Sequence, residues 1–193
     1  MLLCFVIVYL FAPRIERNVE ELDVTTLKVG DLLFFSGSSY GDRVISLFTR
    51  SPYTHVCMVV QEGPEPKVWK IDRKGPRVSQ WFDTCKRYRD VIGVRHIKHV
   101  LETIDVNTVI NKYTAYRFDN NMLRWLWPTR ETRRHIFCSE MMVLALRKLN
   151  LEYIDRPPCS YAPGELATMN MFSYGSLCTF RCVGACVQDA LHL

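Results

Sequence analysis

Two residues far apart in the chain, His55 and Cys138, sit in settings that suit nucleophilic catalysis. Cys138 stands in Phe137-Cys138-Ser139-Glu140, directly before the stretch Met141 to Leu149, which reads as a helix. A thiol at a helix start meets the positive end of the peptide dipoles and backbone N–H groups that lack intrahelical partners. Both favour the thiolate, and the N–H groups can also hold an oxyanion. His55 opens the apolar run His55-Val56-Cys57-Met58-Val59-Val60, which reads as a buried strand. An imidazole held on a rigid strand can take the proton from a thiol. The pair points to a cysteine-nucleophile enzyme whose histidine precedes its cysteine.

Several elements must form to bring these residues together. Leu32-Leu33-Phe34-Phe35 reads as a strand, closed by Ser36-Gly37-Ser38-Ser39. Asp42 to Arg50 carries Val44, Ile45, Leu47 and Phe48 at helical spacing, and Ser51-Pro52-Tyr53-Thr54 then breaks into the His55 strand. Glu62-Gly63-Pro64-Glu65-Pro66 is a turn, and Lys67 to Asp72 is the returning strand. A further strand is predicted over Val91 to Lys98 and a helix over Ile104 to Arg117. The Cys138 helix is expected to end near Asn150, before Pro157-Pro158. Strands in the middle with helices on either side give an α+β fold in a single domain.

Composition narrows the class. The chain has 193 residues, of which 48% are hydrophobic and 23% charged, enough for a core that needs no disulfide staples. A net charge of +5, scattered along the sequence, is too small to argue for nucleic acid. Eight cysteines lack the dense spacing of a secreted scaffold, and no C-x-x-C pair marks a zinc site, so no metal or cofactor is expected. Cys178, Cys182 and Cys186 recur every fourth residue and would share one stripe if the tail were helical. Such a stripe fits core packing, a metal site or acylation at a membrane. His96 and His99 lie at the end of a basic strand and are not read as ligands. His135, three residues before Cys138, is read as a surface or structural residue. Trp125-Leu126-Trp127-Pro128 could line a groove, touch lipid or simply pack.

Residues 1–12 are continuously apolar but short of the ~20 needed to span a bilayer. No basic residue precedes them and no small-x-small site follows, which argues against a secretory signal. They fit a shallow membrane anchor, a segment packed on the domain, or the remnant of a longer anchor. Residues 13–26 read as a polar linker, and 27–193 as the domain with its cysteine-rich tail. The expected location is cytoplasmic or membrane-associated.

With the segments in place, the chain resembles the circularly permuted branch of the NlpC-type papain-like superfamily. That branch includes YiiX-type proteins, lecithin:retinol acyltransferase relatives and a poxviral family. The matching stretches are Gly30-Asp31-Leu32-Leu33-Phe34, Tyr53-Thr54-His55-Val56, Lys74-Gly75-Pro76-Arg77-Val78, Tyr116-Arg117-Phe118-Asp119, Phe137-Cys138-Ser139-Glu140 and Tyr161-Ala162-Pro163-Gly164-Glu165-Leu166. They follow the family's order over about residues 27–167. A lone cysteine or histidine in such settings is ordinarily a core residue; the resemblance is what raises His55 and Cys138 above that.

The resemblance implies a central antiparallel sheet or small barrel packed against helices, with the catalytic cysteine at a helix N-terminus. It implies Cys138 as nucleophile and His55 as general base, acting on an amide, ester or thioester through an acyl-cysteine. Peptides, acyl lipids and acylated proteins are all substrates of that kind. The family commonly places a glutamate on the strand after the histidine; here that position falls on Lys70, or on Trp69 with a one-residue difference in the turn. Asp72 lies two residues beyond Lys70 on the same strand face and is the candidate orienting residue. The alternative is a catalytically weak or inactive fold that serves as a binding, virion or membrane-associated structural protein.

Overall fold

The computed structural model describes residues 19–21, 23–88, 92–97, 106–119, 135–148, 154–169 and 179–181. They form an α+β fold. The main sheet contains β1 (Val19–Glu21), β2 (Leu32–Phe35), β3 (His55–Gln61), β4 (Lys67–Asp72), β5 (Gly75–Gln80), β6 (Ile92–Arg95) and β9 (Thr179–Arg181), in the order β1-β9-β6-β2-β3-β4-β5. The run β6-β2-β3-β4-β5 is antiparallel throughout. β9 joins β6 antiparallel, and β1 lies parallel to β9. A separate parallel pair is made by β7 (Arg117–Phe118) and β8 (His135–Ile136). The helices are α1 (Tyr40–Thr49), α2 (Trp81–Arg87), α3 (Val106–Tyr113), α4 (Cys138–Lys148) and α5 (Pro163–Ala167).

Both faces of the sheet are covered, which explains why its central strands read as unbroken apolar runs. Leu32, Phe34, Val56, Met58, Trp69 and Ile71 face α3 and α4, whose Tyr113, Met141, Met142 and Leu146 complete that core. The alternate residues Leu33, Phe35, Cys57, Val59 and Val68 face α2, where Trp81, Cys85 and Tyr88 cover them. Truncating a fully buried side chain such as Trp69 or Leu146 to alanine should cost about 2–5 kcal/mol.

Local chemistry sets the elements around the candidate site. Ser39 caps α1: its hydroxyl accepts the Asp42 N–H at 3.2 Å, and the Asp42 carboxylate accepts the Ser39 N–H at 3.2 Å. Such a reciprocal box is worth about 1 kcal/mol. The other Asp42 oxygen accepts the Thr54 hydroxyl at 3.2 Å, tying the start of α1 to the residue before His55. Gly37 is required there, since a Cβ would lie 2.2 Å from the Asp42 carboxylate. Between β4 and β5 the chain reverses over Arg73-Lys74. Gly75 takes φ +90°, and Asp72 accepts the Lys74 N–H at 2.9 Å.

Four features differ from the sequence-based expectation. Val19–Glu21, within the segment read as linker, is a strand. Its partner Thr179–Arg181 lies between Cys178 and Cys182, so a continuous tail helix carrying the three cysteines is interrupted there. Extended backbone at Thr179-Phe180-Arg181 gains ladder bonds to β1 and β6 that a helix could not make. The cysteines themselves, residues 1–12, His99 and Trp125-Trp127 lie outside the described residues. The Cys138 helix starts at Cys138, three residues earlier than read. Finally, β5 and α2 occupy a stretch for which no element was expected.

Candidate active site

α4 begins at Cys138, and Glu140 reaches back so that its carboxylate accepts the Phe137 N–H at 3.3 Å. That contact helps cap a helix with no Ser, Thr, Asp or Asn immediately before it. The Cys138 side chain is 4% exposed and packs on the Val56 side of the sheet. Burial pushes its pKa up to about 11, against the pull of backbone N–H groups of Val56, Ser139 and Cys138 itself; the Asp42 charge adds to the rise. The helix-start effect expected from the sequence is present, but desolvation is larger, and the resting thiol is protonated.

His55 is the first residue of β3, opposite Phe35. Its ring stacks on Tyr88 at 4.9 Å between centroids and 11° between planes, with Phe35 tilted at 6.2 Å. Nε2 is buried and has no hydrogen-bond partner among the described residues. Burial drives the His55 pKa down to about 3, helped by the Lys70 and Arg87 charges and by Arg77, with Asp72 opposing. The imidazole is therefore neutral throughout the ordinary pH range.

Strand alternation separates the two groups while keeping them near. His55 points to the α2 face with Phe35 and Tyr88, whereas Val56, the next residue, meets Cys138 on the α4 face. Both His55 and Cys138 line a cleft of about 680 Å³ at the end of the sheet, together with Thr54, Asp72, Tyr88 and Asp119. The bare Nε2 means that the thiol does not bond that nitrogen in this structure.

Asp72 reaches the same cleft, and β4 places it on one face with Lys70 as alternation requires. Its carboxylate is occupied elsewhere. Arg77 grips it with both guanidinium nitrogens, Arg87 bonds it at 2.9 Å, and the Lys74 N–H donates at 2.9 Å. Burial opposes its ionisation, but the Arg77 hydrogen bond, the Lys74 N–H and the two arginine charges outweigh it and hold the carboxyl below its usual range. Asp72 thus acts on His55 through charge, while aromatic stacking holds the ring. Lys70 is 3% exposed and donates to Thr84 Oγ1 at 2.8 Å. Burial lowers its pKa, and the Arg77 charge lowers it further.

Of the remaining histidines, His135 is exposed on β8, and His96 Nδ1 lies 2.8 Å from the buried carboxylate of Asp31. Sequence reasoning did not single out Tyr88 or Arg87, and it met Asp119 only as the end of a matching stretch, with no role given to it. A hint for Tyr88 exists in Trp81, Cys85 and Tyr88, whose four- and three-residue spacing puts them on one helical face. Nothing local marks Arg87 as a partner of Asp72.

No family model matches the chain. No curated protein sequence matches it either. Among solved structures, it is similar to the crystal structure of the metalloprotein YiiX from Escherichia coli O157:H7, DUF1105. The TM-score is 0.52 and the identity 15%, over 76% of this chain and 94% of that one. The chain therefore has a YiiX-like α+β fold. Among the described residues, no group of three or more His, Cys, Asp or Glu side chains is placed to hold a metal ion. No helix among them is long and apolar enough to cross a membrane.

Proposed function

We propose that this protein is a thiol-dependent hydrolase or acyltransferase of the permuted papain-like type. It would cleave an amide, ester or thioester through an acyl-cysteine at Cys138. One observation carries the reading: a thiol faced by backbone N–H groups at a helix start shares a cleft with an imidazole whose Nε2 lacks any partner among the described residues. The sulfur attacks the carbonyl carbon as its proton passes to His55. The N–H groups stabilise the oxyanion, and the intermediate collapses as His55 returns the proton to the leaving amine, alcohol or thiol. Water or an acceptor nucleophile then releases the acyl group. Contacts between such groups commonly tighten only when substrate binds.

The test is turnover of a panel of aryl esters, thioesters and anilides by the full chain. Activity that falls to background in both Cys138→Ala and Cys138→Ser supports the reading; activity that survives Cys138→Ala contradicts it.

A second reading is a binding or structural protein that keeps the fold without turnover. It is favoured by Asp72 being committed to Arg77 and Arg87, and by Lys70 at the position where the resemblance expects an acid. Under it, none of the esters, thioesters or anilides would be turned over, and no acyl adduct would form on Cys138. A membrane-bound variant of the enzyme would lose lipid partitioning on deletion of residues 1–12.

A further inference from the structure

Beside the cleft lies a second concavity of about 430 Å³, bounded by the β4–β5 turn, the end of α3 and the β7–β8 pair. Four basic residues line it: Arg73 and Lys74 from the turn, Arg117 from β7 and His135 from β8. Among the described residues, no acidic side chain lines it. The contrast with the neighbouring arginines is sharp. Arg77 and Arg87 are both spent on Asp72, whereas the side chains of Arg73, Lys74 and Arg117 have no hydrogen bond or ion pair among the described residues. Arg117 and His135 are register partners across the parallel pair, which sets two basic residues side by side.

Arg73 and Phe118 line both this pocket and the cleft that holds His55 and Cys138, so the two spaces adjoin. We infer that the second pocket is a binding site for a phosphoryl group, serving as a subsite of the cleft. Two guanidinium forks and an ammonium suit a tetrahedral anion with several acceptor oxygens, and the volume leaves room for its alcohol substituent. The group could come from a soluble phosphate ester or from a lipid headgroup; the recognition chemistry is the same. Binding of the anion stands on this lining alone, while its service to catalysis rests on the thiol-enzyme reading.

The experiment titrates the full chain with inorganic phosphate and with glycerol 3-phosphate at constant ionic strength, following His135 and arginine side-chain resonances. Wild type and Cys138→Ala should bind both, with affinity at least tenfold weaker in Arg117→Gln and in Arg73→Gln. Arg117→Lys, which keeps the charge but loses the fork, should fall between. Circular dichroism of each variant confirms folding. Equal binding by wild type and the two glutamine variants would overturn the site, as would a wild-type response no larger than that to chloride. Co-sedimentation with phosphatidic acid vesicles that is lost in Arg117→Gln assigns the group to a lipid headgroup; binding confined to the soluble esters assigns it to a free phosphate ester. If an active substrate is found, Arg117→Gln should raise KM for its phosphoryl-bearing form and leave the neutral analogue unchanged. A KM unchanged for both would remove the subsite role. Phosphate binding without any turnover would instead sink the thiol-enzyme reading and leave the anion site standing.

Discussion

The two faces of the sheet treat their reactive groups differently. On the α4 face, burial of Cys138 is partly offset by three backbone N–H groups that favour the thiolate. On the α2 face, burial of His55 is reinforced by Lys70, Arg87 and Arg77, and only Asp72 opposes it. Desolvation wins on both sides, leaving the thiol and the imidazole that line the cleft both neutral. The lesson is that a helix start and a neighbouring base do not by themselves make a thiolate–imidazolium pair. Such a pair also needs water or an anion near the imidazole, and here Asp72 is saturated by arginines. Under the proposed mechanism, the proton would move as the substrate's carbonyl is attacked, rather than beforehand.

The largest effects should come from breaking the His55 side. His55→Ala is expected to lower kcat by about 10²–10⁴-fold with little change in KM, as befits loss of general-base catalysis. A drop below twofold would move His55 out of the mechanism. Next comes the link between the charge cluster and the ring. Asp72→Asn leaves Arg77 and Arg87 without their counter-charge and with a single acceptor oxygen, and should cost ~1–3 kcal/mol in urea unfolding, since both arginines are partly hydrated. Its kcat should change far less than that of His55→Ala. An equal loss would make Asp72 an orienting residue after all.

Two smaller effects depend on pH. The unfolded chain takes up a proton at His55 as pH falls below 6.5, while the folded protein resists until about 3, so stability is lost across that window. His55→Phe should flatten this acid slope; an unchanged slope would place the titration elsewhere. On the alkaline side the folded Cys138 thiol stays protonated to about 11 against an ordinary 9.0, so its alkylation by iodoacetamide should keep accelerating past pH 9. A rate that levels off near neutrality would mean that the N–H groups, not burial, control the sulfur.

Much of the sheet is legible in the amino-acid sequence. Leu32–Phe35 and Lys67–Asp72 stand where alternating turn signals and apolar runs put them, and α1 matches its helical spacing to within two residues. The alternation that sets Lys70 and Asp72 on one face also holds. What the sequence hides is non-local. β7 and β8 are two residues each, and β1 meets β9 across most of the chain, so neither pair leaves a periodic trace. The fate of Asp72 is decided by Arg77 on β5 and Arg87 on α2, elements hidden because Gly75-Pro76 looks like a turn and α2 is only seven residues long. The Cys138 pKa runs opposite to expectation because the helix start is visible in sequence and the depth of burial is not.

The central claim is a covalent one, and intact-protein mass spectrometry of a slowly turned-over thioester tests it most directly. The account predicts one acyl adduct that maps to Cys138, disappears in Cys138→Ala and forms at least tenfold more slowly in His55→Ala. An adduct spread over several cysteines, or one on Cys138 that forms at the same rate without His55, would contradict it.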